Sequence, residues 1–140
     1  MTREKNIKTV QSFFRLIEQR KIEELSELYA EDAKNIAPYH SGLFPAEVMG
    51  RKEIFKFWEA ATAQFGEISF PIDEIMPFED PNKVAVKLVG KLKFRDNRGI
   101  YENEYLLIFN FDCEGKILEF YEYYNPIIAA KAFGIMDKIK

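Results

Sequence analysis

A chain of 140 residues, 47% hydrophobic and 31% charged, has the size of one domain that buries roughly two-thirds of its unfolded surface. Such a composition excludes a disordered chain, because burial can offset the entropy of ordering. The net charge of −3 supplies no field for nucleic acid or an anionic membrane, and the single Cys113 excludes an internal disulfide and a cysteine metal cluster.

The opening MTREKNIKTV is charged and helix-like, with no apolar signal segment behind it and no run long enough to span a bilayer. It predicts a cytoplasmic protein, one domain over residues 1–140. Ile7, Val10, Phe13, Phe14 and Ile17 fall at three- and four-residue spacings and predict a first helix, with Thr2 as candidate N-cap. A second short helix carries Ile22, Leu25, Leu28 and Tyr29 inward, and Glu23, Glu24 and Glu27 outward. Residues 32–50, with Pro38, Gly42 and Pro45, read as a strand fragment and loop. A third helix is expected from about Arg51 to Phe65, stopped by Gly66, with Ile54, Trp58, Ala61 and Phe65 on one stripe.

From Glu67 the period changes to two. Ile68, Phe70 and Ile72 form a strand that meets Pro71, so an edge or bulged strand is expected. Residues 83–95 alternate, with Val84, Val86, Leu88, Leu92 and Phe94 on one face and lysines on the other. The lysine face reads as solvated, since no aromatic row accompanies it. Turns at DNRG (96–99) and DCEG (112–115) separate two more strands, over 100–111 and 116–124, and Pro126 ends the ladder. The tail predicts a short helix with Ile128, Ala132, Ile135 and Ile139 on its apolar side, interrupted by Gly134. Helices first and four meandering strands after them define an α+β fold, with helices laid across one face of a curved sheet as a cone with an open mouth. The 13 Phe and 7 Tyr serve either a dense core or the wall of a cavity in that mouth.

No glycine-rich phosphate loop and no histidine-rich metal motif occurs, and the one histidine, His40, leaves Ser-His-Asp catalysis without support. The candidate acid/base group is Glu122, set among four rings in FYEYYNP (120–126). Alternation puts Leu118, Phe120, Glu122 and Tyr124 on one face and Ile117, Glu119, Tyr121 and Tyr123 on the other, and parity alone leaves open which is inside. An inward Glu122 would be desolvated and poised for proton transfer, whereas an outward one is a solvated or structural glutamate. Glu104 joins Glu122 if the 112–115 turn pairs even residues with even ones, through a bulge at Gly115, and is separated from it by a plain two-residue turn. Tyr39 and His40 offer binding groups on the APYHSG loop, Trp58 on the third helix is core or pocket wall, and Tyr105 and Tyr124 are candidate pocket groups.

The stretches FEDPNKVAVKLVGKLKF and YENEYLLIFNFDCEGKILEFYEYYNP, with Tyr101-Glu102-Asn103, Gly115 followed by Ile117, and Glu122 three residues before Asn125-Pro126, resemble the phenazine-biosynthesis A/B proteins. These are SnoaL-like members of the nuclear-transport-factor-2-like superfamily. The resemblance implies a cone-shaped α+β barrel, its N-terminal helices packed on a curved, mainly antiparallel sheet, usually as a homodimer with a pocket for a small cyclic ketone or aromatic acid. In the phenazine proteins a glutamate before Asn-Pro is the acid/base of a condensation, and Glu122 matches it. Two departures accompany the match: the pocket histidine expected after Gly50-Arg51 is replaced by KEIFKFWEAA, with Phe57 and Trp58, and Glu104 stands where histidine is usual. The resulting expectation is an acid/base enzyme, needing no metal or nucleotide cofactor, for a small apolar or aromatic ligand. The rival is a non-catalytic binding or interaction module of the same fold. A cavity below roughly 300 Å³ would leave no room for a drug-sized ligand.

Overall fold

The computed structural model describes residues 2–140. Helices α1 (Arg3–Glu18), α2 (Ile22–Glu27) and α3 (Arg51–Ala63) pack on one face of a sheet built from β1 (Tyr29–Ile36), β2 (Glu47–Met49), β3 (Phe65–Ser69), β4 (Ile72–Pro77), β5 (Lys83–Phe94), β6 (Ile100–Phe111) and β7 (Ile117–Tyr124). Helix α4 (Pro126–Phe133) and a 3₁₀ turn (Met136–Lys138) close the chain. The sheet order is β2-β1-β7-β6-β5-β3, with β4 also on β5. All pairs are antiparallel except β1 with β7. The two edges do not meet, so the α+β fold is a curved, unclosed sheet carrying helices in its concavity.

Thr2 caps α1, its hydroxyl accepting from the Lys5 N–H at 3.2 Å. The α1 stripe buries Val10, Phe13, Phe14 and Ile17. Phe13 is the hub of the core, its ring centroid 5.0–6.1 Å from those of Phe14, Tyr29, Trp58, Phe109 and Phe120. Edge-to-face geometry dominates these contacts, as the ring quadrupoles favour. The Arg20 guanidinium donates to the carbonyl of Thr62 in the last turn of α3, one of that helix's orphan acceptors, and to those of Phe65 and Gly66 at the start of β3, tying the two elements together. At the other end of α3, Arg51 donates through Nε and Nη2 to the Tyr29 carbonyl and pins the start of β1.

Several expectations need correction. Tyr29 opens β1 instead of closing α2, and the four expected strands are seven. β1 and β2 lie in the stretch read as strand fragment and loop, and β1 pairs in parallel with β7, 80–90 positions away along the chain. Pro71 divides the expected edge strand into β3 and β4, both seated on β5 with local register shifts. Gly134 terminates α4 in a left-handed conformation (φ 68°) instead of interrupting it. The helix buries Ala129 and Ala130, while Ile128 is exposed.

Gly90, on the concave face of β5, leaves room for two rings: a Cβ there would lie 2.6 Å from Phe70 and 3.0 Å from Tyr105. Gly90→Ala is therefore expected to displace Phe70 and lower unfolding free energy by about 1–3 kcal/mol, the usual cost of overpacking. Denaturant unfolding with an unchanged midpoint would contradict the close approach.

Candidate active site

Which face of β7 turns inward is decided by two successive irregularities. At the turn, the Asp112 N–H donates to the Lys116 carbonyl and Phe111 stands opposite Ile117, so like parity faces like, with Gly115 at φ 80°. The register then shifts: Asn110 faces Glu119, which leaves Leu118 as the extra residue. From there Leu107 faces Glu122 and Tyr105 faces Tyr124. Tyr101, Asn103, Tyr105, Leu107 and Phe109 form the buried face of β6, so Phe120, Glu122 and Tyr124 point into the concavity. Ile117, expected opposite to Phe120, is buried with it because the bulge reverses its parity.

Glu122 lines a cavity of about 290 Å³, at the lower limit of the roughly 300–1,000 Å³ of small-molecule sites. Phe57 and Trp58 from α3, Tyr101 and Tyr105 from β6, and Phe133 from α4 share that wall. No lysine, arginine or histidine lines it. Glu122 is half-buried by surface area and borders the cavity, and protein surrounds its carboxyl. Burial, with no cation to offset it, raises its pKa from the ordinary 4.5 to about 7. Among the described residues the carboxyl has no hydrogen-bond partner, and no three His, Cys, Asp or Glu side chains gather into a metal-binding cluster.

The hydroxyls opposite Glu122 are ordered from behind. Asn103 is clamped to the backbone of Asn125, accepting from its N–H (3.2 Å) and donating to its carbonyl (3.0 Å). Its remaining amide hydrogen goes to the Tyr101 oxygen at 2.8 Å, and the Tyr105 and Tyr101 oxygens are 3.1 Å apart. Two phenols sharing one hydrogen bond keep one O–H unused. The Tyr124 hydroxyl is buried and without a protein partner. Burial is the main cause that raises all three phenols, Tyr101 to about 12, and the nearby Glu122 charge adds to each, so they remain protonated donors. Asn125 also caps α4, its Oδ1 accepting from the N–H groups of Ile127 (3.0 Å) and Ile128 (3.3 Å), with Pro126 in the first helical turn. The helix so launched carries Phe133 against Tyr101 and Phe44, at 5.3 Å in each case.

Of the candidate residues, the structure brings Glu122, Trp58, Tyr105 and Tyr124 to one cavity. Glu104 is on the opposite face of the sheet and exposed, because the Leu118 bulge sets even residues of β7 against odd residues of β6. Tyr39 is 56% exposed and stacks edge-on with Tyr123 at 5.4 Å on that same outer face, away from Glu122. His40 lies in a turn, its Nδ1 accepting from the Gly42 N–H at 3.1 Å, and does not reach the cavity. Tyr101 and Phe133 were missed. Tyr101 was findable, being in phase with Tyr105 along β6, but nothing local reveals where α4 puts Phe133.

This fold has counterparts. The SnoaL-like domain family matches residues 10–120. The chain belongs to the SnoaL-like family. It is 22% identical over 131 residues to the uncharacterized protein YesE of Bacillus subtilis strain 168, covering 94% of this chain and 88% of YesE. A crystal structure of a Bacillus subtilis protein superposes with a TM-score of 0.87 at 22% identity, over 96% of this chain and 97% of that one. The phenazine biosynthesis-related protein PhzB2 of Pseudomonas aeruginosa superposes with a TM-score of 0.82 at 25% identity, over 95% of this chain and 83% of that one. Within the SnoaL-like fold, this chain's cavity carries Phe57 and Trp58 from α3 and no histidine.

The environment of Glu122 has a thermodynamic consequence. The folded protein binds its proton more tightly (about 7) than the unfolded chain (4.5). Wild-type stability therefore falls as pH rises from the lower value through the higher, whereas a neutral glutamine is indifferent. Glu122→Gln is expected to match wild type below pH 4 and to exceed it by about 2–3 kcal/mol at pH 8. Denaturant unfolding at both pH values checks this, and equal stabilities at pH 8 would contradict a desolvated carboxyl.

Proposed function

We propose that this protein is an acid/base enzyme that isomerises, cyclises or condenses a small cyclic ketone or aromatic compound, with Glu122 carrying the proton. The observation that supports it is a single carboxyl, its pKa raised toward neutrality by burial, lining an apolar cavity that the phenols Tyr101, Tyr105 and Tyr124 also line. A group with a pKa near the working pH serves as base and then as acid in one turnover. Glu122 removes a proton from the carbon beside a carbonyl. The negative charge that develops on the oxygen is met by the Tyr124 O–H and the unused O–H of the Tyr101–Tyr105 pair, donors already in place. The protonated Glu122 then returns the proton at a second carbon, completing an isomerisation, or, where the enolate carbon adds to a second carbonyl carbon and breaks its π bond, to the alkoxide oxygen so formed. Trp58, Phe57 and Phe133 grip the apolar body of the ligand and keep bulk water away. The reaction so written asks for no metal or nucleotide. The likeness to PhzB2 supports the substrate class, and the small volume favours a compact ligand of one or two rings.

Exchange of α-protons for deuterium in a panel of cyclic ketones, followed by NMR, tests the reading. Glu122→Gln is expected to fold and bind but lose about two or more orders of magnitude in rate, and Tyr124→Phe to lose about tenfold or more. Saturable binding with no exchange by wild type would favour the non-catalytic binding module instead. As part of the same reading the protein works as a cytoplasmic homodimer, and sedimentation is expected to give twice the 16.5 kDa chain mass. A monomer at micromolar concentration would contradict that.

A further inference from the structure

Beside the main cavity lies a second, much smaller chamber of about 20 Å³, lined by Asn35, Val48 and Phe120 and sharing Ala37, Pro45, Phe57 and Glu122 with the larger one. Glu122 thus stands on the boundary between the two. The small chamber cannot take a substrate, but about 10–15 Å³ suffices for one water, provided that two or more polar groups hold it.

The orientation of Asn35 follows from a chain of donors. Trp58 Nε1 can only donate, and it is 3.2 Å from the Tyr29 oxygen. Tyr29 therefore accepts there and has one hydrogen to give, which goes to Asn35 at 2.8 Å. The receiving atom must be Oδ1, because an amide nitrogen does not accept. Burial, the largest cause, holds the Tyr29 phenol protonated well above its ordinary range, so the chain keeps this direction at any working pH. Asn35, 7% exposed, is left with a buried Nδ2 that has no partner among the described residues. An unsatisfied buried donor costs about 1–3 kcal/mol. Asn35 faces Phe120 on one side and Val48 on the other, both walls of the chamber.

We propose that the small chamber is a structural water site, in which one water accepts from Asn35 Nδ2 and donates to a carboxyl oxygen of Glu122, making Asn35 the residue that positions the acid/base group. The water anchors one carboxyl oxygen at the chamber and leaves the other for the substrate side. Asn35, Tyr29 and Trp58 act through Glu122, not on the ligand. The titratable groups around Glu122 are Tyr29 on β1, Tyr101 and Tyr105 on β6, and Tyr124 on its own strand, all of which stay neutral phenols. The water is then the carboxylate's solvating partner on the chamber side, and losing it favours the protonated acid.

This inference rests on the inward, functional Glu122, but its tests do not require turnover. A crystal structure of the wild-type protein at about 1.5 Å is expected to show one ordered water within hydrogen-bonding distance of Asn35 Nδ2 and a Glu122 oxygen, as such bonds require. A dry chamber would overturn the proposal. Asn35→Leu, titrated through the ¹³C resonance of the Glu122 carboxyl, is expected to raise its pKa by about half a unit or more, the direction set by removing a hydrogen bond to the charged form. A folded variant titrating like wild type would overturn it as well. If Asn35→Leu does not fold, Tyr29→Phe removes the hydroxyl that orients the amide and is expected to shift the titration in the same direction, an unchanged value again contradicting the proposal. Should Glu122→Gln retain full turnover while these shifts are seen, the catalytic reading fails and the water site stands.

Discussion

The constraint on which the site depends is the enclosure of one carboxyl among aromatic rings with no cation to balance it. A buried carboxylate without a counter-charge is costly, and the protein meets that cost by letting the group take up a proton near neutrality. Placing an arginine beside it would pull the pKa down and turn the site into an ion pair. Instead, the groups around Glu122 are phenols, an indole and an amide, which donate hydrogen bonds without holding a charge. The same absence of charge keeps the cavity hospitable to an apolar ligand. An apolar cavity and a raised carboxyl pKa are thus two outcomes of one environment.

Much of the scaffold exists to point Glu122 that way. The extra residue at Leu118 chooses the face, Asn103 ties the hydroxyl network to Asn125, and Asn125 starts the helix that delivers Phe133. FYEYYNP consequently joins three tasks in seven residues: a core ring in Phe120, the enclosed carboxyl of Glu122, and a strand stop that is also a helix start in Asn125-Pro126. The rings that surround Glu122 in sequence are not all its neighbours in space, since Tyr121 and Tyr123 belong to the outer face, where Tyr121 stands between Ile36 of β1 and Ile108 of β6 and Tyr123 meets Tyr39.

The helices α1 and α3 and strand β5 were legible because each carries a regular apolar period, and β6 and β7 because the turns at 96–99 and 112–115 and Pro126 bound them. β1 was not, since its YAEDAKNI has little β-branched content and its partner is β7, far along the chain. Pairings of that kind are decided by tertiary packing and leave no local mark. Glu104 illustrates the other limit: the turn behaved as a bulge at Gly115 would require, and one more irregularity, at Leu118 next to the first pair after the turn, reversed the outcome. Glu122, Trp58, Tyr105 and Tyr124 could be singled out from chemistry and phase along their elements. Asn35 could not, because its meaning lies in a hydrogen-bond chain that runs through Tyr29 and Trp58 on separate elements.

The most direct test of this account is the titration of wild-type Glu122 itself, read from its carboxyl ¹³C resonance or its infrared carbonyl band between pH 3 and 9. The account predicts a midpoint at about 7, with the protonated carbonyl band of a weakly hydrogen-bonded acid below it. A midpoint at the ordinary 4.5 would contradict it, because a carboxyl that ionises as if in water is neither enclosed by the cavity nor poised for proton transfer at neutral pH.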